Sequence, residues 1–530
     1  MSGTAGASRR WWGLVAVALG VAVIVIDTTV VNVIVPSLIR DLDVDSRQVQ
    51  WVSESYAIVF AALLLLTGRL ADVWGARAVF LGGMLVFGLA STGCAAAGDG
   101  GLLIAARAVQ GVGGAMILPA SLALINNTFE GADRGRAFAV WGSTIGAGAA
   151  VGPLLGGWLD GYSWRWVFGI NIAVMVVVVV GVRAFLAPSP RVPGRIDSLG
   201  VLWSVLGLGL VAFGVVEGRT YGWFSTLEPL LLPGLTWNAD PSPALAALVA
   251  GAVFLGLLVR RQVQLTRRDA DPLVDVRLFR IRSFTLGNLT TLLIGLGEFG
   301  IIAIVPLWLQ FTLGYSPVQA GLAITALAVG SFVASGASFA LAATLDATNL
   351  VRLGLALEIA GLVLLGLSAA PDSPWWQITA ALFVYGVGTG FATAQVTNVV
   401  LVDVPAASAG SGSGVQSAIR QVGSALGIAA ITTVFFTSFA GGLGDRLDQL
   451  PQPATVTADA VVDSGGAALP TLGDSAEGAA GRAAMSEATG LASYVAAGLL
   501  AVGLGATALL GSGRTRRDDE PAGSPAVRAA

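Results

Sequence analysis

Residues 13–31 read Gly13-Leu-Val-Ala-Val-Ala-Leu-Gly-Val-Ala-Val-Ile-Val-Ile-Asp27-Thr-Thr-Val-Val31, an apolar run with a single carboxylate. About 20 apolar residues cross the hydrocarbon of a bilayer as one helix. A charge inside such a helix costs roughly 2.5–3.5 kcal/mol on insertion scales, so these residues are rare and usually functional. Asp27 is therefore interpreted as a proton or cation site, with packing against a polar neighbour as the alternative.

The composition extends this interpretation to the whole chain. Mean hydropathy is +0.79, and 12% of residues are charged, against about 25% in soluble domains. The single cysteine, Cys94, excludes an intramolecular disulfide, and the absence of His removes the commonest catalytic base and metal ligand. We predict an all-α polytopic membrane protein that is not an enzyme and does not bind nucleic acid.

Hydropathy predicts fourteen membrane spans, and an even number places both termini on one side. The first span is expected to be retained, because it is too long for the core of a signal peptide and lacks a cleavage site. The predicted spans are residues 13–35, 52–70, 78–97, 102–125, 138–158, 167–186, 199–216, 243–259, 284–311, 318–341, 350–369, 375–401, 414–439 and 488–510.

Arginine supplies every basic residue and gives the orientation. Seven Arg lie between Arg260 and Arg282, and most others fall on the side of the N-terminus. Because basic residues concentrate in cytoplasmic loops, both termini are predicted to be cytoplasmic. The segment Pro272–Phe279 is expected to form a short helix on the inner membrane surface. Six Arg fall on the outer side: Arg40, Arg47, Arg165, Arg219, Arg446 and Arg482.

An internal repeat predicts the arrangement of the spans. The segment Gln110-Gly-Val-Gly-Gly-Ala and the segment Tyr385-Gly-Val-Gly-Thr-Gly lie 275 residues apart, and further Gly pairs share that offset. Spans 4 and 5 then correspond to spans 12 and 13. Two parallel six-helix halves around a midplane cavity are typical of alternating-access transporters.

The predicted organisation follows from this repeat. It comprises an N-terminal six-helix bundle (1–190), two inserted spans with a basic cytoplasmic linker (191–283), a C-terminal six-helix bundle (284–512) and a disordered cytoplasmic tail (513–530). Within the C-terminal bundle, residues 439–487 are predicted to form an extracellular loop. The part from Gly441 to Glu487 is expected to be mostly irregular, because its composition cannot supply a core.

Three motifs with polar or small residues stand out. Between spans 2 and 3, the turn from Gly68 to Arg77 includes Asp72 and Gly75, and Asp72 suits a helix N-terminus or a neighbouring Arg. An ordinary glycine turn is the alternative.

In span 4, Arg107 and Gln110 lie one turn apart on nearly the same face, which favours a polar cavity lining. In span 5, small residues recur at intervals that let helices pack closely, and Pro153 removes a helical hydrogen bond. The residues of this span 5 motif are Gly152, Pro153, Gly156 and Gly157.

With these motifs, the chain resembles the major facilitator superfamily, specifically the fourteen-helix drug:proton antiporter family (EmrB/QacA type). The resemblance covers essentially the whole chain. It rests on Leu70-Ala-Asp72-x-x-Gly75, Arg107-x-x-Gln110-Gly111, Gly152-Pro153-x-x-Gly156-Gly157, Asp27-Thr-Thr-Val-Val-Asn32 and Ser163-Trp-Arg-Trp-Val-Phe-x-Ile-Asn171.

The resemblance implies a major facilitator fold of two six-helix bundles plus two inserted helices. The span 5 motif is associated with antiporters of the superfamily, which implies export driven by the proton gradient, without a cofactor or metal. Val73 and Ala76 depart from the family, which usually has basic residues there. The implied location is a bacterial cell (inner) membrane, with a monomeric protein in the lipid bilayer.

Three further acidic residues lie inside spans. Glu298, in the middle of span 9, matches Asp27 to within one residue when Pro36 is aligned with Pro306, so it is a second candidate for proton coupling or for recognition of a cationic substrate. Glu54 lies near the outer end of span 2 and is a further candidate for proton coupling beside Asp27 and Arg107, with a hydrated, interfacial role as the alternative expected there. Glu358 is expected to pair structurally with Arg352 or with another helix.

Candidate substrate-cavity residues combine aromatic and amide side chains, which suit lipophilic cations. The alternative for the Trp residues near span ends is anchoring at the membrane interface. The candidates are Asn32, Trp51, Tyr56, Gln110, Trp308, Gln310, Tyr385, Gln395 and Asn398.

Three functions remain open from the sequence. The first is a proton-driven exporter of hydrophobic, often cationic, drugs or toxic compounds. The second is a dedicated exporter of an endogenous metabolite, antibiotic or lipid. The third is a non-transporting sensor or channel, against which stand Asp27, Arg107 and the repeat.

Overall fold

A computed structural model describes residues 2–232, 235–341, 344–450 and 456–509. The predicted tail, 513–530, and the side chains of Asn32 and Pro153 lie outside the described residues. Eleven stretches of the described chain are long and apolar enough to cross a membrane, judged by length and composition. One of these stretches, Arg47–Ala95, contains two helices. The predicted number of fourteen spans therefore stays a prediction.

The first half of the chain forms six long helices. Side-chain caps mark where two of them begin, since Asp45 forms a capping box with Gln48 and Asp99 accepts from the amide of Leu102. The six helices are α1 (Ser2–Leu42), α2 (Ser46–Leu70), α3 (Ala76–Ala95), α4 (Gly100–Thr128), α5 (Gly131–Asp160) and α6 (Arg165–Phe185).

A middle segment follows with two long helices. Ser242 caps the second of them through the amide of Leu245. The segment comprises α7 (Ser198–Val216), the single-turn α8 (Gly218–Tyr221), an antiparallel ribbon of β1 (Leu230–Leu232) and β2 (Leu235–Trp237), and α9 (Pro243–Arg267).

The second half contributes six more long helices and one short helix. They are α10 (Arg282–Phe311), α11 (Pro317–Leu341), α12 (Ala347–Leu367), α13 (Trp375–Leu401), α14 (Ala409–Asp448), α15 (Ala458–Asp463) and α16 (Ala476–Ala508).

Helix packing repeats between the two halves. In the first half α1 packs on α5 and α6, α2 packs on α4, and α3 packs on α4 and α6. In the second half the equivalent contacts join α10 to α14 and α16, α11 to α13, and α12 to α13 and α16. The halves meet where α5 packs on α11 and α2 packs on α14. Helices α7 and α9 pack on each other, and α7 also contacts α2 and α14 on the outside of that joint.

The linker after α9 contains a short 3-10 helix, Val276–Arg280, within and just beyond the segment predicted to be helical. Its place on the inner membrane surface stays a prediction. Leu273, Val274 and Leu278 are buried in the protein core. The amides of Leu273 and Val274 donate to Oε1 of Gln262 at 2.7 and 3.2 Å. Leu273, Val274 and Leu278 therefore pack on protein, whereas Phe279 is exposed.

The segment from Gly441 to Glu487 is less irregular than predicted. Helix α14 continues to Asp448 and α16 begins at Ala476, so a helix covers both ends of the segment. Its few apolar side chains, among them Leu443, Leu447, Val461 and Leu469, are buried against the second half. Ala-rich composition favours helix. The few apolar residues are sufficient to pack the segment on the second half, although its average composition is poor in such residues.

Candidate functional site

Asp27 lies at the centre of a buried polar network in the first half. The residue is 1% exposed, and its carboxylate pairs with the guanidinium of Arg107 on α4. Gln110 Nε2 donates to Oδ1 of Asp27 at 2.9 Å, and Asn171 Nδ2 on α6 donates to the same oxygen at 3.1 Å. Three helices thus converge on one carboxylate, with its charge balanced by one cation.

A second set of contacts holds these partners in place. Arg107 Nη1 donates to Gln110 Oε1 at 2.6 Å, and Arg107 Nε donates to the carbonyl of Val52 at 3.0 Å. Ser91 Oγ accepts from Gln110 Nε2 and Asn171 Nδ2 at 2.9 and 3.3 Å. A buried charge is costly unless it is paired and hydrogen-bonded, and this network gives both Asp27 and Arg107 such partners inside the bundle.

Aromatic rings complete the surroundings of the cation. The guanidinium carbon of Arg107 lies 4.5 Å from the ring centroid of Tyr56 and 6.0 Å from that of Phe168. Such cation–π contacts stabilise a desolvated guanidinium by roughly 2 kcal/mol. Tyr56 was predicted to line a substrate cavity, and the structure places it on Arg107.

The second half holds an acidic cluster on α10, α12 and α14, of which α10 is the counterpart of α1 and the other two are not the counterparts of α4 and α6. Glu298 on α10 and Glu358 on α12 are 5% and 0% exposed, and both interact electrostatically with Arg420 on α14. Glu298 Oε2 and both carboxylate oxygens of Glu358 have no hydrogen-bond partner among the described residues. The cluster brings two acids to one cation, whereas the first half has one acid for one cation.

Of the two alternatives for Glu358, the structure favours another helix. Glu358 interacts electrostatically with Glu298 and Arg420, whereas Arg352 donates to the carbonyl of Thr507 at 2.8 Å. Arg420 lies within α14 and was not singled out from the sequence. A basic residue inside the span 414–439 was the signal that could have identified it.

Glu54 is partly buried on α2 and interacts with Glu217, a buried residue at the end of α7. Glu54 Oε2 has no hydrogen-bond partner in the described part of the chain. The hydrated, interfacial role of Glu54 stays a prediction, and the structure adds a carboxyl neighbour on α7 that the sequence did not indicate.

Asp72 joins the two halves at the ends of α2 and α14. Its carboxylate accepts from the amide of Gly410 at 2.6 Å, from the amide of Ser411 at 2.8 Å and from the hydroxyl of Ser411. These amides form the first turn of α14, where free N–H groups and the helix dipole favour an anion. A Cβ at Gly68 would lie 2.6 Å from the carbonyl oxygen of Gly410, so glycine is required for this close approach.

The rest of the turn binds the first half. Gly75 has a φ of +90°, which favours glycine. Arg77 Nη2 donates to the carbonyl of Arg183 at 2.9 Å, and the amide of Arg77 donates to Ser189 Oγ at 3.1 Å. The turn is thus fixed to its own half while Asp72 reaches the other half.

Glycines of the span 5 motif bring α5 against α1 beside Asp27. A Cβ at Gly152 would lie 1.9 Å from Thr29 Oγ1, and a Cβ at Gly156 would lie 2.6 Å from Val30 Cγ2. A Cβ at Gly157 meets nothing within 4 Å among the described atoms. Gly152 and Gly156 therefore form the close contact with α1, and Gly157 does not.

The remaining predicted cavity residues have separate contacts in the described part of the chain, and their role in a substrate cavity stays a prediction. Trp308 is fully buried and donates to Ser486 Oγ at 3.0 Å, and Tyr385 is buried with its hydroxyl on the carbonyl of Glu298 at 3.0 Å. Trp51 stacks on Phe213 of α7. These residues pack helices together, which an amphipathic aromatic side chain does as readily as it lines a cavity.

The predicted amides have different environments. Gln310 Nε2 donates to the carbonyl of Pro306 at 3.1 Å within α10. Gln395 Nε2 donates to Ser338 Oγ at 2.7 Å and to the carbonyl of Gly135 at 3.4 Å, and it accepts from Asn398 at 3.3 Å. Gln395 and Asn398 therefore lie at a second junction between the halves.

Two helical halves with this polar network define a membrane transporter, and comparison with known proteins gives its family. The profile of the Major Facilitator Superfamily matches residues 17–428. This chain belongs to the major facilitator superfamily of multi-pass membrane transporters, which indicates a transporter and not an enzyme.

The relatives are named as resistance and efflux proteins. The chain is 37% identical over 454 residues to the puromycin resistance protein pur8 of Streptomyces alboniger, covering 83% of this chain and 84% of the relative. It is 31% identical over 468 residues to the multidrug efflux pump LfrA of Mycolicibacterium smegmatis, covering 87% of each. It is also 31% identical over 440 residues to the probable actinorhodin transporter of Streptomyces coelicolor, covering 81% of this chain and 73% of the relative.

Solved structures share the fold at low identity. The human organic anion transporter MFSD10 (TETRAN) superposes with a TM-score of 0.60 at 13% identity, covering 94% of this chain and 99% of that structure. The proton:xylose symporter XylE gives a TM-score of 0.58 at 13% identity, with 94% and 95% covered. These likenesses establish the fold alone.

Proposed function

We propose that the protein is a proton-coupled antiporter that exports hydrophobic, often cationic, compounds from the cytoplasm by alternating access. The observation that carries the proposal is the closed network in which Arg107, Gln110 and Asn171 surround the buried carboxylate of Asp27. Relatives named for puromycin resistance and multidrug efflux support the direction of transport. The proposed topology has fourteen spans with both termini in the cytoplasm.

The network suggests how a proton would be coupled to movement. While Asp27 is ionised, its charge holds Arg107 and the two amides, which ties α1 to α4 and α6. A proton on Asp27 removes the charge that balances Arg107, so the pairing weakens and these helices can separate. Release of the proton restores the pair. The pair therefore opens and closes once for each proton that binds and leaves.

The contacts between the halves supply the other part of the cycle. Asp72 on the first turn of α14, and Gln395 on the carbonyl of Gly135, close the side that we assign to the cytoplasm. Breaking these contacts would open the protein inward. Export then proceeds by binding the compound in the inward-open state and releasing it outside as a proton binds.

A transport assay in proteoliposomes tests the proposal. With an imposed pH gradient, the purified protein should move ethidium or puromycin against its concentration gradient and release protons when the compound is added. Asp27→Asn should abolish both signals. Transport that is independent of the pH gradient, or retained uphill transport by Asp27→Asn, would contradict proton coupling through this residue.

A dedicated exporter of an endogenous metabolite or antibiotic is the second candidate. Similarity to the probable actinorhodin transporter favours it. The two candidate functions share the transport mechanism and differ in the range of substrates. A panel of cationic dyes, biocides, puromycin and neutral antibiotics separates them, because a dedicated exporter should transport one chemical class and leave the others untouched.

A further inference from the structure

A cavity of about 500 Å³ lies at the joint between the halves, under the inserted helices. Its walls come from α7, α9, α10 and α14, with Leu65 of α2 and the linker around Val274. Helices α1, α4 and α6, which hold the Asp27 network, contribute nothing to the described lining. Its volume is in the range of pockets that bind drug-sized molecules, which is roughly 300–1,000 Å³.

The cavity opens on the outer surface of the helices. Three of its lining residues, Val259, Phe279 and Leu289, are 59%, 44% and 42% exposed. Val259 precedes Arg260 and Arg261 at the end of α9 that continues into the basic linker. In the proposed topology, the mouth faces the hydrocarbon of the membrane close to the cytoplasmic side.

Almost the entire lining is apolar, and three polar side chains interrupt it. Gln262 is satisfied, because its Oε1 accepts from the amides of Leu273 and Val274 and its Nε2 donates to Asp197 at 3.3 Å. Thr285 donates to the carbonyl of Phe279 at 2.7 Å.

Asn288, the third polar residue, is 2% exposed, and its Oδ1 has no hydrogen-bond partner in the described structure. The orientation of the Asn288 amide follows from its one contact. Nδ2 donates to the carbonyl of Phe284 at 2.8 Å. The opposite orientation would put Oδ1 against that carbonyl, and two acceptors repel. Oδ1 is therefore a buried, unpaired acceptor on a residue that lines the apolar cavity. Buried polar groups are hydrogen-bonded in most structures, so a free one calls for a partner from outside the chain.

We propose that this cavity binds a lipophilic small molecule that carries one N–H or O–H donor and reaches it from the cytoplasmic leaflet. The apolar walls would hold the body of the molecule, and Asn288 Oδ1 would accept its donor. A hydrocarbon chain of a phospholipid offers no donor, so it would leave Asn288 unpaired. This binding site is separate from Asp27 and is tested by binding alone, so its failure leaves proton-coupled export untouched.

The test measures binding of N-phenyl-1-naphthylamine, which has one N–H donor and fluoresces in apolar sites, to the full-length protein in nanodiscs. Its N-methyl derivative lacks the donor and serves as the matched probe. Empty nanodiscs give the contribution of the lipid. The variants are Asn288→Leu, Ile419→Trp to fill the cavity, and Asp27→Asn. Val249→Trp is the control, because it adds Trp to the exposed face of α9 outside the lining.

The wild type should bind the amine saturably. Ile419→Trp should abolish this binding, whereas Val249→Trp and Asp27→Asn should preserve it. Asn288→Leu should lower the affinity for the amine about three- to tenfold, as expected for loss of one hydrogen bond. It should leave the affinity for the N-methyl probe unchanged. Equal affinities of the wild type for the two probes, equal effects of Asn288→Leu on both, or loss of binding in Asp27→Asn would each overturn the proposal. If Ile419→Trp does not fold, the affinities of Asn288→Leu for the two probes still test the proposal.

Discussion

The carboxylate of Asp72 accepts hydrogen bonds from the amides of Gly410 and Ser411, which are 338 and 339 residues away in the sequence. One short turn of the first half thereby binds the first turn of α14 in the second half. Each contact is charge-assisted, and such hydrogen bonds are roughly twice as strong as neutral ones. These hydrogen bonds of Asp72, here called the lock, hold the two halves together at this end. The effect of removing them on the conformation can be measured directly.

Asp72→Ala should favour the conformation that opens on the side of this turn. Loss of three hydrogen bonds to an anion at a helix N-terminus removes roughly 1–3 kcal/mol of preference for the closed state. Accessibility of a cysteine at Ser338, which is fully buried beside Gln395 at the other contact between the halves, to a thiol reagent should rise in a Cys94→Ala background. Asp269→Asn, an exposed ion-paired acid, is the control. Unchanged labelling in Asp72→Ala would show that the lock does not set the conformation.

Asp27→Asn should abolish uphill, proton-driven export while leaving membrane insertion intact. Asn keeps the size of the side chain and cannot exchange a proton. Transport in proteoliposomes with and without a pH gradient measures the effect. Asp99→Asn is the matched control because Asn retains the capping function at the start of α4. Export by Asp27→Asn that still follows the gradient would remove Asp27 from the coupling role.

Arg107→Gln should destabilise the protein by roughly 3–5 kcal/mol, because breaking a buried pair leaves the charge of Asp27 uncompensated. The double variant Asp27→Asn/Arg107→Gln should recover much of that loss, since no buried charge remains. Thermal unfolding of all three variants in detergent gives the coupling between the residues. Strictly additive losses in Tm would mean that the two side chains do not act as a pair.

Glu298→Gln should spare export of neutral compounds and impair cationic ones, or else reduce the number of protons exchanged for each compound. Glu358→Gln should produce a related defect, because both acids share the charge of Arg420. Rates for cationic and neutral compounds, together with proton release, distinguish these outcomes. Wild-type rates and pH dependence for every substrate in Glu298→Gln would show a packing role.

Asp197, which lies outside the membrane-spanning segments, should contribute to the stability of the fold in a pH-dependent way. Burial favours the neutral carboxyl, but hydrogen bonds from Arg261, Gly200 and Gln262 outweigh burial and hold the pKa of Asp197 below its ordinary value. A lowered folded-state pKa stabilises the fold above the unfolded-state pKa of about 3.9, and the benefit is lost as the pH falls through the folded value. Asp197→Asn should lower the Tm at pH 7, and this difference should shrink below about pH 4. A constant difference across that range would contradict the assignment.

The first-half site could be predicted in large part from the sequence. Charges inside apolar runs identified Asp27 and Arg107, and helical spacing placed Gln110 with Arg107. Ser91 could not be predicted, because a Ser in an apolar helix usually bonds its own backbone, and its contact with Asn171 depends on how α3 packs against α6. Family resemblance marked Asn171 without indicating its bond to Asp27.

The second-half site was harder to predict for a physical reason. Glu298, Glu358 and Arg420 lie on three helices, and no periodicity within one helix reveals which residues face each other. Trp308 shows the same limit, since its sequence fits a cavity wall or a core equally well, and its bond to Ser486 depends on α16. Tertiary packing decides such cases.

The absence of side chains at Gly152 and Gly156 restricts which parts of this protein can move past one another. Helices α5 and α1 approach so closely there that a sliding motion would drive backbone against Thr29 and Val30. These two helices must therefore turn together, carrying Asp27 with them. Besides the separation of α1 from α4 and α6, the change between inward-facing and outward-facing states requires movement at the seams where Gly142 meets Ala394 and Gly146 meets Ser331. A bulky residue introduced at either seam would prevent the two halves from closing against each other. The helix packing within each half would remain unchanged.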